Sequence, residues 1–229
     1  MNRPIYIILM ITAFLTGSTG LQAMPPHPDL IEKWRAEGTL EKNVVKSQSA
    51  VLTKGMAETK ASGIGVGTIK IPVIPVRYND TSASFTTYGK DFFSTLLNTG
   101  SGPNYFSVQK YYNDMSNGTL IIQFDVFDPV TVSQSRSYYG ADGSTGDVHP
   151  GQLVYEAVNA LIAANGAIDF SDYDNDGNGF VDAVVVIHAG AGQEISSDTD
   201  DIHSHQWDLY SANYYGDGGG MVTTDGVKF

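Results

Sequence analysis

The stretch that most constrains this chain is Asp172-Tyr173-Asp174-Asn175-Asp176-Gly177-Asn178-Gly179-Phe180-Val181-Asp182, which runs straight into the apolar segment Ala183 to Ile187. Carboxylates packed this densely repel one another unless a cation or hydrogen bonds compensate them. Read from Asp174, the order is D-x-D-x-N-G-x-x-D. Oxygen donors then fall at the first, third, fifth and ninth places, Asp174, Asp176, Asn178 and Asp182, with the Phe180 backbone carbonyl at the seventh. Gly179 holds the sixth place, where the loop of an EF-hand turns sharply. The twelfth place, which in an EF-hand carries a bidentate glutamate, is Val185, inside the apolar run. The expectation is an EF-like Ca2+ loop and not an EF-hand, with Asp172 or a residue distant in sequence completing the shell. The alternative is an Asn/Asp/Gly-rich surface turn without an ion.

The apolar run Ala183 to Ile187, bounded by turn residues, predicts a central strand buried on both faces. Ile69, Ile71, Val73, Ile74 and Val76 predict another, placed at an edge or a bulge because Pro72 and Pro75 lack backbone donors. Leu120, Ile122, Phe124 and Val126 alternate as in a strand with one buried face. Ser107 caps a predicted helix with Val108, Tyr111, Tyr112 and Met115 on its inner face and Asn117-Gly118 as its stop. A second helix is predicted over Gln152 to Ala164, with Val154, Ala157, Val158, Leu161 and Ile162 as its stripe. Helices interleaved with strands imply an α/β (α+β) domain, a mixed twisted sheet with packed helices, from about residue 66 onward.

Asp and Glu outnumber Lys and Arg by 25 to 13. The resulting net charge of −12 disfavours nucleic acid and anionic lipid as partners. With no cysteine, neither disulfides nor thiolate metal sites are available. Residues 1–23 have the order of a signal peptide: Arg3, then the predominantly apolar Ile5 to Leu15, then small residues to Ala23, near which cleavage is expected. That order implies a secreted protein, and the apolar run falls short of the roughly 20 residues a membrane span needs, so no stable insertion is expected after cleavage. Residues 24–65 read as an N-terminal, propeptide-like extension with one short helix over Asp29 to Gly38.

The histidines are His27, His149, His188, His203 and His205, and no H-E-x-x-H occurs among the 229 residues. His203-Ser204-His205 places two imidazoles on one side of an extended segment, yet without the helical spacing and adjacent glutamate of a hydrolytic zinc site. Structural hydrogen bonding is the expected role there. His188, at the end of the apolar strand and before Glu194, lies where strand ends carry sites, although a satisfied core histidine is the favoured reading. No G-x-S-x-G and no nucleophilic cysteine are present. A glycosidase built on Asp174 and Asp176 is disfavoured because a hydrated cation loop keeps both ionised. No catalytic residue is therefore assigned.

The succession Gly67-Thr68-Ile69-Lys70-Ile71-Pro72-Val73, Ser107 to Tyr112 with Ser116-Asn117-Gly118, Asp169 to Asp182, Val186 to Glu194 and Ile202 to Trp207 resembles the M6 (immune inhibitor A-like) metallopeptidases over roughly residues 66–229. The resemblance implies a zincin or metzincin-like fold, a protein or peptide substrate, and Zn2+ held in the full-length enzyme by an H-E-x-x-H-x-x-G-x-x-D helix that follows a segment like Thr224 to Phe229. It thus implies an incomplete peptidase domain, inactive as it stands. Asp225-Gly226, a hairpin signal between Met221 to Thr224 and Val227 to Phe229, agrees with an interrupted domain. His203 stands where the family tends to have tryptophan. The competing reading is a secreted, calcium-stabilised binding or adhesion module without chemistry, and the presence or absence of a downstream H-E-x-x-H separates the two.

Overall fold

The strand over Gly67–Arg77, β1, contains three core residues with no solvent exposure at all, Val73, Ile74 and Val76. It belongs to a computed structural model that describes residues 36, 67–80, 88–100, 106–143, 146–164, 166, 168–217, 220 and 222–229. The leader, the extension and, apart from Ala36, its helix lie outside the described residues.

β1 is the centre of an all-parallel sheet. On one side it pairs with β2 (Leu120–Val126) from Gly67 to Val73 and then with β3 (Val130–Thr131). Its prolines do not exile it to an edge, because each missing donor falls in a gap of the ladder. Gly67 and Val73 bond toward β2, so odd-numbered residues face that side and even-numbered ones face the other. Pro75 therefore points between the end of β2 pairing at Val73 and the start of β3 pairing at Val76. Pro72 points to the opposite side, where pairing with the strand Val185–His188 starts only at Val73. The short antiparallel pair β4 (Asp142–Gly143) and β5 (Gly146–Asp147) stands apart from the sheet. The later strand, β6 (Val185–His188), is shorter than expected, half-buried, and bonded only to β1 among the described strands. It is not buried on both faces.

Helices pack on this sheet. α1 (Lys90–Ser94) continues into a π-helical turn, Thr95–Thr99, and with α2 (Val108–Met115) lies against β2. The Ser107 hydroxyl accepts from Lys110 N at 3.0 Å, which is the expected cap. Tyr112 is buried as expected, whereas Tyr111 and Met115 are exposed. α3 (Arg136–Gly140) leads to the β4–β5 pair, and α4 (Pro150–Ala164) covers β1 and β3 with Leu153, Ala157, Val158 and Leu161. α5 (Gln193–Ser196) and α6 (Leu209–Tyr214) follow β6. The chain then forms the hairpin β7 (Thr223–Thr224) and β8 (Val227–Lys228). Asp225 and Gly226 both have positive φ, 51° and 81°, as a two-residue hairpin of primed type requires.

α4 starts with Pro150, suited to a first helical turn, but the sequence supplies no polar cap beside it. The cap comes from Asp217, whose buried carboxylate accepts from the Gly151 backbone and, at 3.4 Å, from Gln152 N. Gly151 makes this possible, since a Cβ there would lie 2.5 Å from Ala212 Cβ and 2.6 Å from Asp217 Oδ2. His149 Nδ1 stands 3.5 Å from the same carboxylate. Asp217→Ala should cost about 1–2 kcal/mol, the usual range for a lost cap. The melting temperature should fall by about 2–4 °C for each kcal/mol, and Asp217→Asn, which keeps an acceptor, should lose less.

Candidate functional site

The acidic segment is entered through the 3-10 turn Phe170–Tyr173, capped by Asp169 Oδ1, which accepts from Ser171 N at 3.0 Å. Phe170 and Tyr173 are buried and anchor the turn in the core. Beyond it, the Asp174 carboxylate accepts from two backbone amides, Asn178 N at 2.9 Å and Gly179 N at 2.8 Å. Asp176 accepts from Asn178 N at 3.1 Å and from its side-chain amide at 3.0 Å. Asn178 Oδ1 in turn accepts from Phe180 N at 2.8 Å. Gly177 and Gly179 supply the positive φ, 72° and 87°, that wraps the backbone around these carboxylates.

Asp174, Asp176, Asn178 and the Phe180 amide are thus linked by hydrogen bonds within one loop. Asp182 is turned differently: its Oδ2 accepts from Asn175 N at 2.8 Å and Asn175 Nδ2 at 2.9 Å. Burial raises the Asp182 carboxyl above its ordinary range, with Asp176 and Asp174 adding to the rise against the two Asn175 bonds. Asp172 Oδ2 is held by Lys70 Nζ at 2.8 Å, an exposed pair. Among the described residues, no three His, Cys, Asp or Glu side chains are grouped so as to hold a metal ion.

Both flanks of the segment are tied to strands. On one, Asn175 Oδ1 accepts from Lys70 N at 2.7 Å while its Nδ2 donates to Lys70 O at 3.1 Å. On the other, Lys228 N donates to Gly179 O at 3.0 Å and Val181 N donates to Lys228 O at 2.8 Å. Phe180, between those two, thus has its own carbonyl on the side away from β8.

A second polar group lies beyond the carboxyl ends of β1 and β6. His188 Nδ1 is 3.1 Å from Ala189 O, and burial lowers its pKa. His205 Nδ1 is 2.9 Å from His203 O, and burial lowers its pKa too. Glu194 accepts from Ser204 Oγ at 2.8 Å and Ser204 N at 3.2 Å. Burial opposes ionisation of Glu194, but the Ser204 bonds prevail and hold its pKa below the ordinary value. In both rings Nδ1 thus lies against a nearby backbone carbonyl. Arg136 ties the same loop down through Asp198 at 3.2 Å and through the buried Asp201. Neither this clamp nor Asp147 has a local sequence signal, since the partners lie more than 50 residues apart.

Asp147 Oδ2 accepts from His203 N at 2.9 Å, while its Oδ1 is buried without a partner. Burial, with Asp142 and Glu194 nearby, pushes this carboxyl up to about 6 from an ordinary 3.8. A raised carboxyl pKa means that its stabilising contribution is complete below the unfolded value of 3.8 and is lost as pH rises through about 6. Asp147→Asn should therefore melt about 2–4 °C higher than the parent at about pH 8, roughly 1 kcal/mol after solvent screening. Near the ordinary pKa of 3.8 the two should melt alike. His188 and His205, whose pKa values burial lowers, act with the opposite sign, losing stability as pH falls below 6.5, but they are common to both proteins and cancel in the difference.

Comparison with known proteins joins these two polar groups in one domain. The description of the Immune inhibitor A peptidase M6 catalytic domain matches residues 76–227. Immune inhibitor A of Bacillus thuringiensis subsp. alesti is 33% identical over 120 residues, covering 43% of this chain and 17% of that protein. The chain thus spans only a small share of the length of the relative it matches. The matched stretch runs from the end of β1 through the acidic loop, His188 and Glu194 to β8, and the chain belongs to the immune inhibitor A family of M6 peptidases.

Proposed function

We propose that this chain is one part of a secreted, zinc-dependent endopeptidase acting on protein substrates, and that the part it supplies is a calcium-stabilised sheet scaffold. The family match over residues 76–227 carries the peptidase reading. The leader-like order of Met1 to Ala23 supports secretion, and no described helix is long and apolar enough to cross a membrane. Zinc peptidases polarise the peptide carbonyl and activate water with a metal held by two histidines one helical turn apart, beside a glutamate base. The 229 residues contain no such motif, and the described His and carboxylate side chains form no metal group. The residues present do not fit a zinc site, so no step of hydrolysis is assigned to His188, Glu194, His203 or His205.

Calcium is a different case, because it accepts amide and backbone oxygens beside carboxylates. Asp174, Asp176, Asn178, the Phe180 carbonyl and Asp182 would hold it. The supporting observation is the pair of amides, Asn178 N and Gly179 N, that fix the Asp174 carboxylate at the head of the loop. Both Asn175 bonds to Asp182 fall on Oδ2, which leaves Oδ1 for an ion.

Two experiments test this function. An ion that binds only the native state adds about 2.7 kcal/mol at a hundredfold excess over Kd, so calcium should raise the melting point of the chain by about 5–10 °C over chelator. Asp176→Ala should remove most of that gap, and an unchanged midpoint in the parent protein would discard the calcium site. The chain supplied with zinc should leave casein intact, because it lacks the helical histidine pair and its glutamate. Casein hydrolysis that survives replacement of both His203 and His205 would overturn the placement of the catalytic groups outside these residues.

A further inference from the structure

The outer edge of β2 faces no strand among those described, yet its backbone is not left open. In the pairing with β1, Thr119 O and Phe127 N point inward, so Leu120, Ile122 and Phe124 turn their peptide groups outward. Those groups are met by side chains. Phe124 N donates to Asn98 Oδ1 at 2.9 Å, and Asn98 Nδ2 donates back to Phe124 O at 2.8 Å. Gln109 Nε2 donates to Ile122 O at 2.8 Å and Asn113 Nδ2 to Leu120 O at 3.1 Å. Ser116 Oγ accepts from Leu120 N at 3.0 Å.

The Asn98 amide thus makes the two bonds that a neighbouring strand would make to one residue. The same device recurs across the sheet, where Asn175 bonds both Lys70 N and Lys70 O, just beyond the point at which β6 pairing with β1 stops. Two independent segments, the π-helical turn after α1 and the acidic loop, thus each present a primary amide to an unpaired stretch of sheet edge. A primary amide carries the donor and acceptor of a peptide group in the same plane and can satisfy an edge without extending it. Unpaired edge backbone is otherwise a template for another chain.

We propose that Asn98, Gln109, Asn113 and Asn175 are surrogate strands, amides that close the outer edge of β2 and the stretch of β1 left unpaired by β6, and keep a second copy of this chain from adding to the sheet at those places. The outward groups of β2 are the more exposed to this risk, because Ile121 leaves an apolar side chain 41% exposed on the same strand.

The test is sedimentation of the full chain over a range of concentrations, with far-ultraviolet circular dichroism as the check on folding. Asn98→Ala, which frees both bonds of Phe124, should keep the native spectrum at low concentration. At high concentration its average mass should rise about twofold or more over the parent protein, with a gain in β signal. Adding Ile121→Lys, which puts a charge on the same edge, should bring the mass back to the parent value. A folded Asn98→Ala protein that sediments like its parent at every concentration overturns the proposal. So does association that Ile121→Lys leaves untouched. Should Asn98→Ala lose the native spectrum, Gln109→Ala, which frees only Ile122 O, takes its place with the same expected and overturning results. Asn175 is left intact throughout, so the outcome does not depend on the calcium reading.

Discussion

The backbone of β1 is the element on which the rest of this structure hangs. β2, β3 and β6 pair with it and not with one another among the described strands, so the sheet is a single strand decorated on both sides. Parallel pairing of this kind needs covered faces, since its strands carry apolar residues on both sides. α4 supplies cover near β1 and β3, and α1 with α2 supplies it near β2. The acidic loop is hooked onto the same strand through Lys70. Whatever orders β1 therefore orders the loop, and whatever orders the loop acts on β1.

Around that rail, an acidic chain has had to bury carboxylates and compensate them. Asp201 is buried against Arg136, and Asp217 against the start of α4. These are costly groups to desolvate, and each is tied to hydrogen-bond donors that share the expense. Asp147 is the exception, with one oxygen bonded and the other orphaned. It is a partly satisfied carboxylate beside His203 and near Glu194, and burial raises its pKa. Nearby, the Ser204 bonds lower another acid, Glu194, against its own burial.

Membership of the M6 peptidases gives the acidic loop a setting. It lies inside the matched stretch, flanked by β1 on one side and by Lys228 of β8 on the other. Its carboxylates are therefore not a loose surface cluster, because the backbone on either side of them is built into two separate β elements. The arrangement also assigns different work to neighbouring residues. Asp174 accepts from the loop's own amides, whereas Asn175 bonds both Asp182 within the loop and Lys70 in the sheet.

Local pattern was sufficient for much of this. The alternation of Leu120 to Val126, the stripe from Leu153 to Leu161, the Ser107 cap and the Asp225-Gly226 turn were legible because each depends on residues within one or two turns of chain. So was the likeness to M6 peptidases over the later two thirds of the chain. What tertiary structure alone decided was which side of each element meets which partner. Pro72 and Pro75 read as edge signals because a sequence shows the missing donor and not the gap in the ladder that accommodates it. Tyr111 and Met115 read as core because helical periodicity fixes a face but not how far the neighbouring layer extends. Asp182 turned to Asn175, Asp217 became the cap of a helix 66 residues earlier, and Asn98 became a stand-in for a strand. Each is a contact between segments distant in sequence, and short polar side chains carry no mark of which distant backbone they will meet until the fold brings it within hydrogen-bonding distance.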